Sequence, residues 1–159
     1  MELRRLFAPD DLLVDFDPAD KWDAIRRLVG HLVQHERLSA SAGAAVLDQI
    51  LARERSMSTG MERGIAIPHA AVDNVERVIA CMGIVSRERG LEFESIDAQP
   101  TRLVVLLVIP RAQKLLHIRT LADVARVLGV DSVRETLIAA RSPQLAWEAL
   151  ATSEGGARR

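Results

Sequence analysis

Apolar positions along the chain follow two periods, and the change from one to the other marks out the elements. Trp22, Ile25, Leu28, Val29, Leu32 and Val33 recur at helical spacing and predict one buried stripe. Asp17 fits the N-cap of that helix, Pro18 its first position, and Asp20 the positive end of its dipole. Ser39 to Gly43 reads as a turn into a second helix over about Ala44 to Arg53, with Val46, Leu47, Ile50 and Leu51 on its apolar face. Ile65-Ala66-Ile67 is a short apolar strand stopped by Pro68, and Ala70 to Arg77 reads as a polar connection. Val78 to Val85 suits a buried strand despite Gly83. Gly90 to Glu94 alternates apolar and polar positions as an edge strand does. Arg102 to Ile109 is the strongest strand, almost wholly Leu, Val and Ile and closed by Pro110. Continuous rather than alternating apolarity requires cover on both faces, so helices should flank the sheet on both sides.

The C-terminal third is helical by the same criterion. His117 is expected to open a helix with Ile118, Leu121, Ala122, Ala125 and Leu128 on one face, ended by Gly129. Asp131 or Ser132 should cap the next helix, with Val133, Leu137 and Ile138 inward. Ser142-Pro143 is a cap followed by proline at the first helical position, leading into Leu145, Trp147 and Leu150. Residues 1–16 give only a weak strand or turn signal, and 153–159 read as a frayed tail. The expected architecture is a single α/β domain over 1–152. It is a three-layer α/β/α sandwich whose mixed sheet has about five strands between helices.

Composition narrows the function. Aromatic residues make up 3 % of 159, so the core must be built from Leu, Ile, Val and Ala. Net charge is −1, with 21 basic and 22 acidic residues, which argues against nucleic acid as a partner. Cys81 stands alone inside an apolar run, so no internal disulfide forms and a reducing cytosol is expected. No Cys/His cluster suggests zinc. No signal-peptide h-region is present, and Leu103 to Ile109 is far shorter than the about 20 residues that span a bilayer. The expected location is cytoplasmic, without membrane insertion. His31 and His35, at i, i+4, lack a third ligand and read as a solvated helix face. Asp10 with Asp11 and Glu92 with Glu94 lie in ordinary polar segments and are expected to face water.

Chemistry concentrates between Arg53 and His69. Neutral imidazole is nucleophilic near physiological pH and can accept a phosphoryl group. Such a site must leave one ring nitrogen exposed, hold the other by a hydrogen bond, and offset the added dianion. His69 follows a strand end and a proline, so the backbone entering it is stiff. Ser56, Ser58 and Thr59 offer hydroxyl donors, and Gly60 and Gly64 permit backbone shapes that turn N–H groups toward an anion. Arg53 could supply a guanidinium from the helix end. His117, at a helix start, could flank the same phosphate, though spacing alone reads equally as a capping or surface histidine. None of this requires ATP or another cofactor, and no G-x-x-x-x-G-K-[ST] loop is present. A nucleophile elbow, G-x-S-x-G, and a dinucleotide G-x-G-x-x-G are absent as well.

The pattern R-E-x-x-x-S-T-G-x-x-x-G-I-A-I-P-H, from Arg53 to His69, resembles the IIA domains of the fructose–mannitol–nitrogen branch of the bacterial phosphotransferase system. The resemblance runs from about Leu12 to Leu150 and takes in Lys21, Phe93, Ile96, Asp97, Pro100 and the block Leu103 to Leu128. It implies a phosphocarrier that accepts a phosphoryl group from phospho-HPr, or a nitrogen-branch counterpart, on the Nε2 of His69. Arg53 and His117 match the residues that attend the phosphate, and Ser58, Thr59 and Gly60 match the loop beside it. Glu62 departs from the pattern, standing where nitrogen-type members carry glycine, and Arg119 stands where many relatives have another histidine. A carboxylate beside a phosphate opposes it, less so if solvated and pointing away.

A standalone domain, without a fused IIB, HPr-like or membrane segment, is expected, and that form favours the regulatory nitrogen branch. The alternatives are a sugar-specific IIA component that donates to a separate IIB subunit, and a non-catalytic binding module with the same fold. The partners implied are an HPr-type carrier upstream and a IIB subunit or a regulated protein downstream.

Overall fold

The computed structural model describes residues 2–86, 88 and 90–156. Two 3₁₀ turns, Leu3–Leu6 and Pro9–Asp11, open the chain. The elements that follow are β1 (Leu12–Phe16), α1 (Lys21–Gln34), α2 (Ala40–Ser56), β2 (Ile65–Ala66), β3 (His69–Val72), β4 (Ile79–Val85) and β5 (Leu103–Pro110). Three helices complete the chain: α3 (Lys114–Leu128), α4 (Asp131–Ala139) and α5 (Pro143–Gly156). Helix α5 thus enters the segment expected to fray, and 157–159 lie outside the described residues.

The sheet is mixed and five-stranded, in the order β1-β4-β5-β2, with β3 also pairing β5. β4 and β5 are antiparallel, and the other pairings are parallel. β5, the most continuously apolar segment, is buried at every residue. Val104, Leu106 and Val108 face a core shared with α1 and α2. Leu103, Val105, Leu107 and Ile109 face a second core shared with α3, α4, α5 and the first 3₁₀ turn. The α/β/α layering is as expected, and period-2 alternation within an all-apolar strand serves both cores. Each large aliphatic side chain so buried contributes roughly 1.5–3 kcal/mol.

β2 and β3 are one edge strand with a break in it. Ile65 pairs with Leu103 and His69 with Leu107, at the same register offset. Pro68 interrupts the ladder because it has no N–H to give, although its carbonyl still accepts from Leu107. His69 to Val72 therefore resumes the strand, and Ala70 to Val72 belong to it rather than to the polar connection expected over Ala70 to Arg77.

Other differences have local causes. Helix α1 starts at Lys21, after Asp20 rather than Asp17. Asp20 accepts from the Asp23 N–H at 2.8 Å while the Asp23 carboxylate accepts from the Ala19 N–H at 2.8 Å. Ser39 caps α2 through the Ala42 N–H at 3.1 Å, so that helix begins earlier than Ala44 and runs on to Ser56. Gly90 to Glu94 forms a single bridge, Leu91 to Thr101, instead of a strand, with Phe93 fully buried. Helix α3 begins at Lys114, ahead of His117, and buries Thr120, Val124, Val127 and Leu128. Ile118, expected inward, is 67 % exposed, because two stripes of this helix have helical spacing and packing selects the other. Thr120 can be buried because its hydroxyl donates to the Leu116 carbonyl at 2.7 Å. No side chain caps α4, and Asp131 pairs instead with Arg134 in its first turn. Ser142 does cap α5, accepting from the Leu145 N–H at 3.1 Å; inside that helix Ala146 and Leu150 are buried while Leu145 is exposed.

Candidate functional site

His69 is half-buried at the point where the edge strand restarts. Its Nδ1 lies 2.7 Å from the carbonyl oxygen of Ile67. A carbonyl can only accept, so Nδ1 carries the proton and Nε2 keeps its lone pair. The ring pKa is held below the ordinary 6.5, chiefly by burial, with the charges of Arg53 and His117 acting the same way. The Ile67 hydrogen bond and the Glu54 carboxylate oppose that shift. The ring is accordingly neutral and nucleophilic at neutral pH.

The sequence brought His69 and His117 into view separately, and the fold brings them together. Their ring centroids are 5.4 Å apart with planes at 81°. His117 is in the first turn of α3, its N–H donating to the Gln113 carbonyl, so its side chain is free of a capping role. Arg53, in the last turn of α2, donates from Nη1 to the Met57 carbonyl at 2.9 Å, which fixes its guanidinium at the loop start.

The loop Ser58–Gly60 behaves differently from its expected role as a cradle of donors. The Ser58 hydroxyl donates to the Phe93 carbonyl, and the Gly60 N–H donates back to Ser58 Oγ at 3.1 Å. Thr59 commits both its donors to Glu54: the N–H to Oε1 at 3.0 Å and the hydroxyl to Oε2 at 2.6 Å. With these donors engaged, Arg53 and His117 remain as the positive groups whose charge acts on the His69 ring. The loop returns along β2, with Gly60 bridging Ala66 and the Met61 N–H donating to Ile65 at 2.8 Å. Arg63 and Gly64, at φ 63° and 75°, make the reversal. The Arg63 N–H donates to Asp97 at 2.9 Å and its guanidinium to the Gly129 carbonyl at 2.6 Å, tying the loop to two other segments. The backbone N–H groups of Arg63 and Gln99 hold the Asp97 carboxyl below the usual range.

Glu62 is exposed, in a shallow depression lined by Met61, Arg63, Ile65, Ile96 and the end of α3. The carboxylate whose charge acts on the His69 ring is Glu54. Arg119 is exposed two residues beyond His117. A large cavity, about 1120 Å³, lies between the α1–α2 turn and the connection after β3, and its lining includes neither His69 nor His117.

Sequence reasoning missed two features. One is Glu54, whose signal is that an acidic residue in the last turn of a helix opposes the dipole and so needs a tertiary partner. Asp11 and His31, both expected at solvated positions, instead pair with each other. Asp11 is 3 % exposed and accepts from His31 Nε2 at 3.1 Å and from Arg37 at 3.3 Å. His31 also stacks on His35, with centroids 3.9 Å apart. Among the described residues no group of three or more His, Cys, Asp or Glu could hold a metal, and no helix is long and apolar enough to cross a membrane.

The mixed α/β/α sandwich thus presents a neutral, oriented histidine beside a second ring on an end strand of its sheet. Residues 5–153 match the family described as phosphoenolpyruvate-dependent sugar phosphotransferase system, EIIA 2, and the chain belongs to it. It is 31 % identical over 152 residues, 95 % of each chain, to the nitrogen regulatory protein of Bradyrhizobium diazoefficiens. It is 33 % identical over 134 residues, 84 % of each, to the fructose-specific EIIA component of Haloferax volcanii. In fold it is similar to the nitrogen regulatory protein IIA-Ntr of Neisseria meningitidis, with TM-score 0.82 and 22 % identity over 93 % of this chain and 98 % of that one. Members of the family are phosphotransferase components.

Proposed function

We propose that this protein is a phosphohistidine carrier: a phosphorylated HPr-type protein, or a nitrogen-branch counterpart, gives its phosphoryl group to Nε2 of His69. The observation that carries the reading is the Nδ1 hydrogen bond to Ile67, which leaves Nε2 unprotonated. Its lone pair forms a new N–P bond while the donor's N–P bond breaks and the departing imidazole keeps that electron pair. No nucleotide, electron or cofactor is needed to balance the step. As the bond forms the ring gains positive character, which the Ile67 carbonyl offsets through the Nδ1 proton. Arg53 and His117 supply charge and a hydrogen bond to the phosphoryl oxygens. Transfer between two proteins requires a reachable atom, and His69 sits at the open edge of the sheet rather than inside the large cavity. The phosphoryl group is then passed on or read as a regulatory signal by a single domain, residues 1–152, acting in the cytoplasm.

A second reading, donation to a separate IIB transporter subunit, is favoured by the likeness to a fructose-specific component. A third, a binding module that has lost transfer, is motivated by Glu62. Incubation with enzyme I, HPr and labelled phosphoenolpyruvate separates them. The carrier reading expects label on the wild-type chain and none on His69→Ala. No label from any matched carrier, or label that survives His69→Ala, overturns it. Onward transfer to a IIB cysteine supports the transporter reading, and a partner bound by only one phosphorylation state supports regulation.

A further inference from the structure

Behind the loop lies a buried ion pair to which the proposed transfer assigns no part. Glu54 is 3 % exposed, and Lys21, the first residue of α1, approaches its Oε1 at 3.3 Å. The Lys21 ammonium also lies 4.9 Å from the Trp22 ring and 5.8 Å from the Phe93 ring. The same carboxylate takes both donors of Thr59, at 3.0 Å and 2.6 Å. Phe93 closes the circuit by accepting from Ser58. One side chain thus joins the end of α2, the start of α1 and the loop, and Ser58 carries the loop on to the Phe93 segment. Stability is a weak reason for the arrangement. A buried pair costs desolvation that well-packed apolar residues would avoid, and a carboxylate at a helix C-terminus opposes the dipole.

We propose that Glu54 is the positioning residue of the transfer site. It fixes Thr59, Thr59 fixes the turn that starts at Met57, and the Met57 carbonyl holds the Arg53 guanidinium at 2.9 Å where its charge acts on His69. For its chemistry the inference rests on the carrier reading. Lys21 balances the carboxylate, so the site gains a rigid anchor without presenting a full negative charge to the incoming phosphoryl group. Thr59 is a link in this brace rather than a phosphate ligand.

Wild type, Glu54→Ala and Glu54→Gln should be compared as phosphoryl acceptors from an HPr-type carrier, with kcat and KM measured separately. Amide hydrogen exchange at Thr59 and the His69 ring ¹⁵N shifts should be followed with no donor present. Glu54→Ala is expected to lower kcat roughly tenfold to a hundredfold with KM within about twofold, as misplacement of a transfer group does. Glu54→Gln keeps an acceptor for Thr59 and Lys21 and should recover most of the rate. Protection of the Thr59 amide should be lost in Glu54→Ala and kept in Glu54→Gln. A folded Glu54→Ala with wild-type kcat overturns the proposal, as does equal Thr59 protection in all three. If Glu54→Ala does not fold, Thr59→Val, which leaves the Lys21–Glu54 pair intact, must show the same kcat loss at unchanged KM; a wild-type kcat there overturns it. A wild-type chain that accepts no phosphoryl group overturns the carrier reading instead, and Thr59 exchange with the His69 shifts still decides whether Glu54 positions the loop.

Discussion

The Nδ1 of His69 and the carbonyl oxygen of Ile67 lie 2.7 Å apart across a single proline. Pro68 breaks the edge strand, and the chain on either side keeps one register against β5. The break turns the Ile67 carbonyl toward the ring that follows it. A proline that stops a strand therefore also selects a tautomer, and the tautomer decides which nitrogen can react.

Phosphoryl acceptance should hold its plateau to pH values below 6.5. Burial, Arg53 and His117 lower the His69 pKa from that ordinary value, so the ring stays unprotonated as pH falls through it. The rate should decline only at the lower, folded-state pKa. Transfer rates measured alongside a ring ¹⁵N titration test this; a ring that titrates at or above 6.5 contradicts it.

Folding stability should fall in mild acid. His31 is lowered from 6.5 chiefly by burial, as His69 is, with the Asp11 hydrogen bond acting the other way. The unfolded chain therefore takes up protons first once pH drops below 6.5, and stability is lost from there down to the folded values. Denaturant midpoints taken at about pH 7.5 and about pH 5.5 should differ in that direction, and the difference should shrink in His31→Gln.

His117→Ala should slow acceptance by about a hundredfold, the usual scale for losing a donor aimed at developing charge. The variant should keep wild-type stability, since His117 caps nothing and is only half-buried. Single-turnover transfer from labelled carrier reads the rate, and a wild-type rate removes His117 from the site.

Gly60→Ala should destabilise the chain by about 1–3 kcal/mol. A Cβ there would stand 2.6 Å from the Phe93 carbonyl oxygen, which is backbone and cannot swing away. The same oxygen accepts from Ser58, so the strain should pass into the loop. Denaturant unfolding measures the loss.

Asp11→Ala should cost about 2–3 kcal/mol, because it removes a buried acceptor shared by His31 and Arg37. Acceptance by His69 should keep its kcat, since Asp11 lines the separate large cavity. Unfolding and transfer assays on one preparation separate the two effects.

Much of the fold was legible because its signals are local. The unbroken apolarity within Arg102–Ile109 announced a strand covered on both faces, and Ser142 announced a helix start. Helix α3 was legible only as a helix. Two stripes have helical spacing on it, and the core takes Thr120, Val124, Val127 and Leu128 while leaving Ile118 outside. Periodicity states that a face is buried, but neighbouring layers decide which face when two are compatible.

The sequence alone singled out the histidine proposed as phosphoryl acceptor: the run Arg53–His69 carries strand, proline, ring and guanidinium in one continuous segment. Local chemistry suffices there because the hydrogen bond that fixes the ring spans two residues. The tertiary structure decided everything that depends on partners far apart in the chain. It set His117 5.4 Å from His69 and turned the loop donors inward. It also paired Glu54 with Lys21, and Asp11 with His31 and Arg37. A polar side chain reads as solvated until its buried partner is known, because only a hydrogen-bonded charge can leave water without prohibitive cost.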